Sequence, residues 1–120
     1  PFGQSASGPK NTGNCTNCGS YTGTIYEPPN NFKGDVARAY FYFATRYAVE
    51  GASWPGDDTY GSTSGANITA WQENVLRQWH VLDPVDEKEI LRNDEIYSNF
   101  QHNRNPFIDH PEWVSKIADF

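Results

Sequence analysis

The feature that most constrains the fold of this chain is an apolar stripe with helical spacing between residues 33 and 49. The stripe consists of Val36, Ala37, Tyr40, Phe41, Phe43, Ala44, Tyr47 and Ala48. Steps of three and four residues place these side chains on one face of an α-helix. Because little of the helix circumference is polar, we predict that this helix is central and largely buried. Asp35 suits the positive end of its dipole, and Gly51 is placed to end it.

Three more helices are predicted further along the chain. The sequence Thr-Ala-Trp-Gln from Thr69 has the pattern of a capping box, which predicts a helix that runs to about Leu82. Asp83 is expected to cap a third helix, with Pro84 in its first turn and Asn-Pro at residues 105–106 closing it. A last short helix is expected to begin near residues 109–111. The third helix carries Ile90, Leu91, Ile96, Tyr97 and Phe100, and the last is expected to bury Trp113, Val114 and Ile117.

The first 32 residues are rich in Gly, Ser, Thr, Asn and Pro, which argues against a regular helix. We therefore predict an irregular N-terminal arm over residues 1–32, with Tyr21, Ile25 and Tyr26 anchoring a short hairpin around Gly23. Residues 51–68 are predicted to be a second loop. The predicted fold is mainly α-helical, with long irregular loops and little sheet, and residues 33–120 form its helical part.

The size and charge of the chain limit what it can be. Its 120 residues are enough for one domain with a modest core. A net charge of −6 argues against a broad basic surface for nucleic acid, but is compatible with a small groove that holds a few Arg and Lys side chains. No apolar run approaches the roughly 20 residues of a membrane span, so no membrane partner is expected. Met is absent and the first residue is Pro1, so we expect a processed or shortened chain.

The two cysteines, Cys15 and Cys18, are separated by two residues. A short disulfide loop is the favoured interpretation, because it suits a secreted protein. Half of a zinc site is an alternative, although no second pair of ligands has a recognisable spacing. A redox pair is the least favoured interpretation, because no strand and helix flank the motif.

Two segments resemble the endonuclease I family of secreted bacterial nucleases. The first is Lys-Gly-Asp-Val-Ala-Arg from Lys33, which leads into the aromatic residues of the central helix. The second extends from Trp79 through Asp-Pro-Val-Asp at residues 83–86 to Asn-Arg-Asn-Pro-Phe at residues 103–107. This ordered series is similar to the distal half of that family's domain, and it is more specific than a single short motif.

The resemblance implies a secreted enzyme, extracellular or periplasmic, that hydrolyses phosphodiester bonds in DNA, RNA or both with little sequence preference. It also implies one divalent metal ion, usually Mg²⁺, held in a ββα-metal finger with a histidine as general base. The motifs that carry this histidine and a metal-binding asparagine do not occur in the sequence. We therefore expect both groups in an N-terminal half that precedes Pro1. This chain would be the helical half of an α+β nuclease, with neither catalytic nor metal-binding residues of its own.

Four residues are candidates for binding nucleic acid: Arg38, Arg104, Asn105 and Lys33. Arg38 lies near the positive end of the central helix and could contact a phosphate, or it could form a structural pair with residue 86 or 89. Arg104 and Asn105 either line a groove or organise the loop that ends at Pro106. The alternative for Lys33 is a solvated surface charge.

Arg92 is a weaker candidate, with a helical pair to Glu89 as its alternative. The histidines have simple structural interpretations: His80 as a packing residue or a partner of the helix dipole, His102 as an exposed loop residue, and His110 as a capping residue. A cluster of the HNH type, which would combine the last two histidines with Asn105, is not favoured because no strand pair is recognisable around them.

Two other functions compete with the nuclease hypothesis. A secreted module that binds carbohydrate, for example, could use Trp54, Tyr60 and Trp71 as stacking platforms. A self-contained metal site could combine Asp109 with the last two histidines and the two cysteines.

Overall fold

The computed structural model describes residues 1–50, 59 and 67–120, and its central element is α1, Lys33–Arg46. The predicted central helix is therefore confirmed, although it ends earlier than Val49. The N–H of Tyr47 closes it by donating to the carbonyl of Phe43. Gly51, the expected terminator, lies outside the described residues. The buried core around α1 consists of Cys18, Ile25, Ala37, Phe41, Ala44, Ile68, Val75, Leu76, Trp79, Phe107, Val114 and Phe120.

The second helix, α2, spans Ala70–Leu82 and packs against α1. Its predicted start is confirmed, but the capping box is wrong, because Thr69 makes no side-chain cap. The side chain of Gln72 instead accepts from the N–H of Phe2 at 2.9 Å and donates to the Phe2 carbonyl at 2.8 Å. This fully buried amide therefore fixes the N-terminal residues to α2.

The same helix also holds the C-terminal end of the chain. A carboxylate oxygen of Glu73 accepts from the N–H of Phe120 at 2.5 Å. Arg77 donates to the carbonyls of Val114 and Ile117 at 3.0 and 2.6 Å. One helix thus binds both ends of the chain through the side chains of Gln72, Glu73 and Arg77.

The third helix, α3, spans Glu87–Asn99, and the prediction that Asp83 caps it is wrong. Asp86 is the cap, because its Oδ1 accepts from the N–H of Glu89 at 2.9 Å. The carboxylate of Asp83 accepts instead from the N–H of Gly34 in α1 at 2.9 Å. The inner face of α3 is polar, with Glu89 and Asn93 buried. Most of its large apolar side chains, namely Ile90, Leu91 and Tyr97, are exposed, as is Phe100 directly after its end.

The chain ends in two short helical segments. The first, α4, spans Pro106–Asp109, and Asn105 caps it by accepting from the N–H of Phe107 at 2.9 Å. Asn-Pro at residues 105–106 therefore begins a helix and does not close α3, which has already ended. A 3-10 helix, Pro111–Lys116, then buries Val114. The expectation that Trp113 is buried is wrong, since 41% of it is exposed and its ring stacks on His110.

The N-terminal arm contains a small antiparallel sheet, with β1 at Thr12–Asn14 and β2 at Thr24–Tyr26. Thr12 pairs with Tyr26 and Gly13 with Ile25, so the strands are joined by residues 15–23 and the prediction of a short hairpin around Gly23 is wrong in its position. The nine residues between the strands contain both cysteines, which the structure joins in a disulfide. Cys18 and Ile25 enter the main core, so the arm contributes to it.

The mainly helical fold with little sheet is confirmed, and its division into an arm and a helical part stays a prediction. Within the described part of the chain, no helix has the length and apolar character that a bilayer span needs.

Candidate functional site

Arg38 is fully buried at the centre of a hydrogen-bonded cluster that joins three helices. Its Nε and Nη2 donate to the two carboxylate oxygens of Glu89 in α3 at 2.8 and 2.7 Å. Nη2 also donates to the carbonyl of Asp83 at 3.0 Å. Burial raises the pKa of Glu89, and the bond from Arg38 opposes this shift. Of the two interpretations of Arg38, the structure contains the pair with Glu89, and a side chain with no exposed surface is closed off from a phosphate.

Gly34 allows this cluster to form. It lies in the first turn of α1, against the end of α2, and an added Cβ would collide with the backbone oxygen of Asp83. The same atom would lie 2.5 Å from Nη2 of Arg38. In the Lys-Gly-Asp-x-Ala-Arg segment, Gly34 therefore lets α1 approach α2 closely. Arg38, one turn later, lies at this contact.

His80 completes the cluster from α2. Its Nδ1 lies 3.1 Å from Nη1 of Arg38, and its Nε2 lies 3.0 Å from the carbonyl of Pro111. Since a guanidinium only donates, Nδ1 must accept and Nε2 must carry the proton. Burial lowers the pKa of His80, and the nearby charge of Arg38 lowers it further. His80 is therefore a neutral packing residue, which agrees with the structural interpretation.

Asp35 forms a second, more electropositive cluster at the start of α1. Its carboxylate lies 3.1 Å from Arg92, 3.3 Å from Lys88 and 3.8 Å from Arg38. The expected pair between Arg92 and Glu89 is thus wrong, because Arg92 reaches across to α1. Oδ1 of Asp35 is the one buried side-chain oxygen or nitrogen without a hydrogen bond among the residues that the structure describes.

Arg104 is held between two carboxylates. It donates to both oxygens of Asp109 at 2.8 Å and lies 2.8 Å from a carboxylate oxygen of Asp94. The hydrogen bonds from Arg104 hold the pKa of Asp109 below its usual range. Asn105 donates to the carbonyl of Arg38 at 3.0 Å. Both residues therefore organise the loop, and their place in a nucleic-acid groove stays a prediction.

Lys33 is likewise engaged inside the chain. Its Nζ donates to Glu27 at 2.7 Å and to Asn30 at 2.8 Å, and only 13% of its side chain is exposed. The alternative of a solvated surface charge is wrong, because the buried carboxylate of Glu27 neutralises this ammonium group.

The described residues do not fit the divalent ion that the resemblance implies. No three His, Cys, Asp or Glu side chains within the described ranges lie close enough to share an ion. Asp35 has a free oxygen, but three cationic groups surround it and would repel a divalent cation. Asp109 is bound to Arg104, and the cysteines are joined to each other. The proposed site of Asp109, His102, His110 and the cysteines is therefore not assembled.

The structure does not support the three aromatic residues proposed to stack on carbohydrate as one binding surface. Trp71 is half-buried and covered by Tyr21, whose ring stacks on it at a centroid distance of 4.2 Å. Trp54 and Tyr60 lie outside the described residues.

The sequence did not point to a cleft between α1, α3 and the turn that follows α3. We call it the Tyr42 cleft. Its inner part is a cavity of about 220 Å³ whose lining includes Tyr42, Gln101 and Asn103. The same three residues also line an outer part of about 470 Å³, so the two parts adjoin. Tyr42 falls between members of the predicted apolar stripe. The helical spacing of that stripe does not show that a turn about 60 residues later faces Tyr42.

Comparisons with known proteins agree with the resemblance drawn from about residues 33–117. The model of the endonuclease I family matches residues 2–112. The extracellular ribonuclease of Bacillus subtilis (strain 168) is 44% identical over 104 residues, covering 81% of this chain and 34% of the relative. The extracellular ribonuclease of Bacillus amyloliquefaciens is 47% identical over 98 residues, with the same coverage. The chain thus spans about a third of the length of these relatives. No solved structure matches the chain significantly. The chain belongs to the endonuclease I family.

Proposed function

We propose that this chain is the helical, non-catalytic part of a secreted endonuclease that hydrolyses phosphodiester bonds in DNA, RNA or both. Membership of the endonuclease I family supports the reaction, and the names of the two Bacillus relatives support RNA as a substrate and export from the cell. The divalent ion, Mg²⁺ in this proposal, would be held mainly by residues other than the described ones. Those residues would belong to the N-terminal half of the same protein.

The proposal rests on one observation in a chain that belongs to a nuclease family. The charged side chains predicted as candidates for nucleic-acid contact are already bound to other groups of the chain. Arg38, His80 and Glu89 bind one another and the backbone in the buried interior. Arg104 is neutralised by Asp94 and Asp109. Side chains that are buried and bound to one another stabilise a fold, and Arg38 and Glu89 have no surface exposed to water. This part of the chain therefore serves as a rigid support for a site built elsewhere.

The test compares this chain with the full polypeptide that its gene encodes. We expect the full polypeptide to degrade RNA and nick plasmid DNA with Mg²⁺, and a chelator to abolish both activities. We expect the 120-residue chain alone to cut neither substrate. A folded full polypeptide that cuts no nucleic acid would refute the nuclease proposal. Metal-dependent cutting by the 120-residue chain would refute its non-catalytic role.

A further inference from the structure

The Tyr42 cleft combines apolar walls with unused hydrogen-bonding groups. Ala39, Ile96 and Ile108 contribute the apolar part of its inner lining. The hydroxyl of Tyr42 and the side-chain amides of Gln101 and Asn103 make no hydrogen bond to other described residues. An aromatic ring beside free donors and acceptors is typical of a site for a flat ligand with a polar edge, and unlike a site for a lone ion.

Two arginines lie at opposite ends of the cleft. Arg92 lines the inner part and Arg46 the outer part, with side chains 42% and 49% exposed. The pair between Arg46 and Glu50 is also exposed, and such pairs contribute at most about 1 kcal/mol. A phosphate can therefore compete for Arg46, whereas it cannot reach the buried Arg38. Phe43 and Tyr47 add aromatic surface at the outer end.

We propose that the Tyr42 cleft binds single-stranded nucleic acid, with a base in its inner part against Tyr42 and the backbone near Arg46. Aromatic rings that stack on bases, side-chain amides that read base edges and exposed arginines are the elements of single-strand recognition. The bases of a duplex are stacked and paired, so they cannot enter the inner cavity of about 220 Å³. The inference rests on the proposed function and assigns to it a second, non-catalytic contact with the substrate.

The direct test is fluorescence anisotropy with the 120-residue chain and labelled oligonucleotides of about 12 nucleotides. The probes are single-stranded DNA, single-stranded RNA, the corresponding duplexes, and an abasic strand that keeps the phosphates but lacks the bases. We expect both single strands to bind about ten-fold more tightly than the duplexes and the abasic strand. Equal binding of the abasic strand would show that phosphates alone are recognised and would overturn the proposal, as would binding of none of the probes.

Matched variants locate the binding in the cleft. Tyr42→Leu removes the ring and should weaken binding about ten-fold, whereas Tyr42→Phe keeps the ring and should retain most of the affinity. The double variant Gln101→Ala with Asn103→Ala changes two exposed side chains and should weaken binding without loss of fold. Trp113→Leu removes an exposed ring outside the cleft and is the control. If the Gln101 and Asn103 double variant and Trp113→Leu bind alike, the cleft is not the site.

The full polypeptide separates this inference from the nuclease proposal. If it cleaves RNA and Tyr42→Leu raises KM while kcat stays within about two-fold, both proposals stand. Cleavage with an unchanged KM refutes the cleft and leaves the nuclease intact. If the 120-residue chain binds bases but the full polypeptide cuts nothing, the cleft is supported and the nuclease proposal is refuted. A full polypeptide that cuts but no longer distinguishes the abasic strand indicates that its own residues fill the cleft, which also overturns the inference.

Discussion

Arg38 and Glu89, which are 51 residues apart in the sequence, form a fully buried bidentate ion pair between α1 and α3. The side-chain exposure of both residues is 0%. A pair this deep depends on good geometry and on further hydrogen bonds around it, because the desolvation of two charges is costly. The backbone oxygen of Asp83 and the imidazole of His80 supply the remaining contacts. The pair thus depends on three helices at once.

Removal of one charge from this pair should strongly destabilise the fold. Glu89→Gln leaves the guanidinium of Arg38 buried beside a neutral amide, and we expect a loss of about 3–5 kcal/mol in the free energy of unfolding. Urea denaturation followed by circular dichroism measures this loss. Glu87→Gln, on the exposed side of the same helix, is the control and should change stability by less than about 0.5 kcal/mol. Equal stabilities of the two variants would show that the buried pair contributes little.

The close contact at Gly34 gives a second prediction. We expect Gly34→Ala to destabilise the protein, although helix propensity alone would predict stabilisation. Alanine is a better helix former than glycine, so Gly34→Ala would stabilise an isolated α1. In the protein, the added methyl group would collide with the Asp83 backbone. We therefore expect a loss of about 1–3 kcal/mol, as for other overpacked sites. Ser98→Ala, at an exposed position of α3, is the control and should be neutral or slightly stabilising. A more stable Gly34→Ala protein would contradict the close approach.

The prediction of α1 and α2 from the sequence succeeded because both helices have an apolar face whose period is visible along the chain. The start of α3 could not be placed in the same way. Asp83 and Asp86 are both suitable caps, and the choice depends on a bond from Asp83 to Gly34, 49 residues away. A local capping pattern contains no information about that bond. The outward face of α3 was unpredictable for a related reason, because its polar residues Glu89 and Asn93 are the buried ones.

The candidate site shows the same limit. The sequence identified Arg38 and named Glu89 as one of two structural partners, but it could not decide between a phosphate and a carboxylate as the ligand. That decision depends on burial, which results from packing three separate segments. Tyr42, Gln101 and Asn103 could not be recognised as a group, since about 60 residues separate Tyr42 from the other two and only the fold brings them to one cleft.

The environment of His80 predicts how stability changes with pH. In the folded chain its pKa lies below the usual 6.5, because burial and Arg38 disfavour the protonated ring. As the pH falls, the unfolded chain therefore takes up the proton at a higher pH than the folded chain does. The stability contributed by neutral His80 is lost as the pH falls below about 6.5 and through the folded pKa. His80→Gln removes the titrating group and should show a smaller loss of unfolding free energy between neutral and acidic pH. Urea titrations at several pH values measure this slope, with His102→Gln as the matched control. Identical slopes for wild type and His80→Gln would contradict the assignment.

The disulfide between Cys15 and Cys18 should stabilise the N-terminal arm. Cys18 is buried in the core, and Gly3 packs so closely that an added Cβ would lie 2.6 and 2.7 Å from the two sulfur atoms. The loop it closes is short, so the expected contribution is about 2 kcal/mol. A reducing agent should therefore lower the Tm of the wild type, and leave unchanged the already lower Tm of the double variant Cys15→Ser with Cys18→Ser. Limited proteolysis should cut residues 1–23 faster in the reduced chain, because Gly3 loses the surface on which it packs. A wild-type protein whose Tm and cleavage rate are the same with and without reductant would show that the arm is held by Gln72 and β-pairing alone.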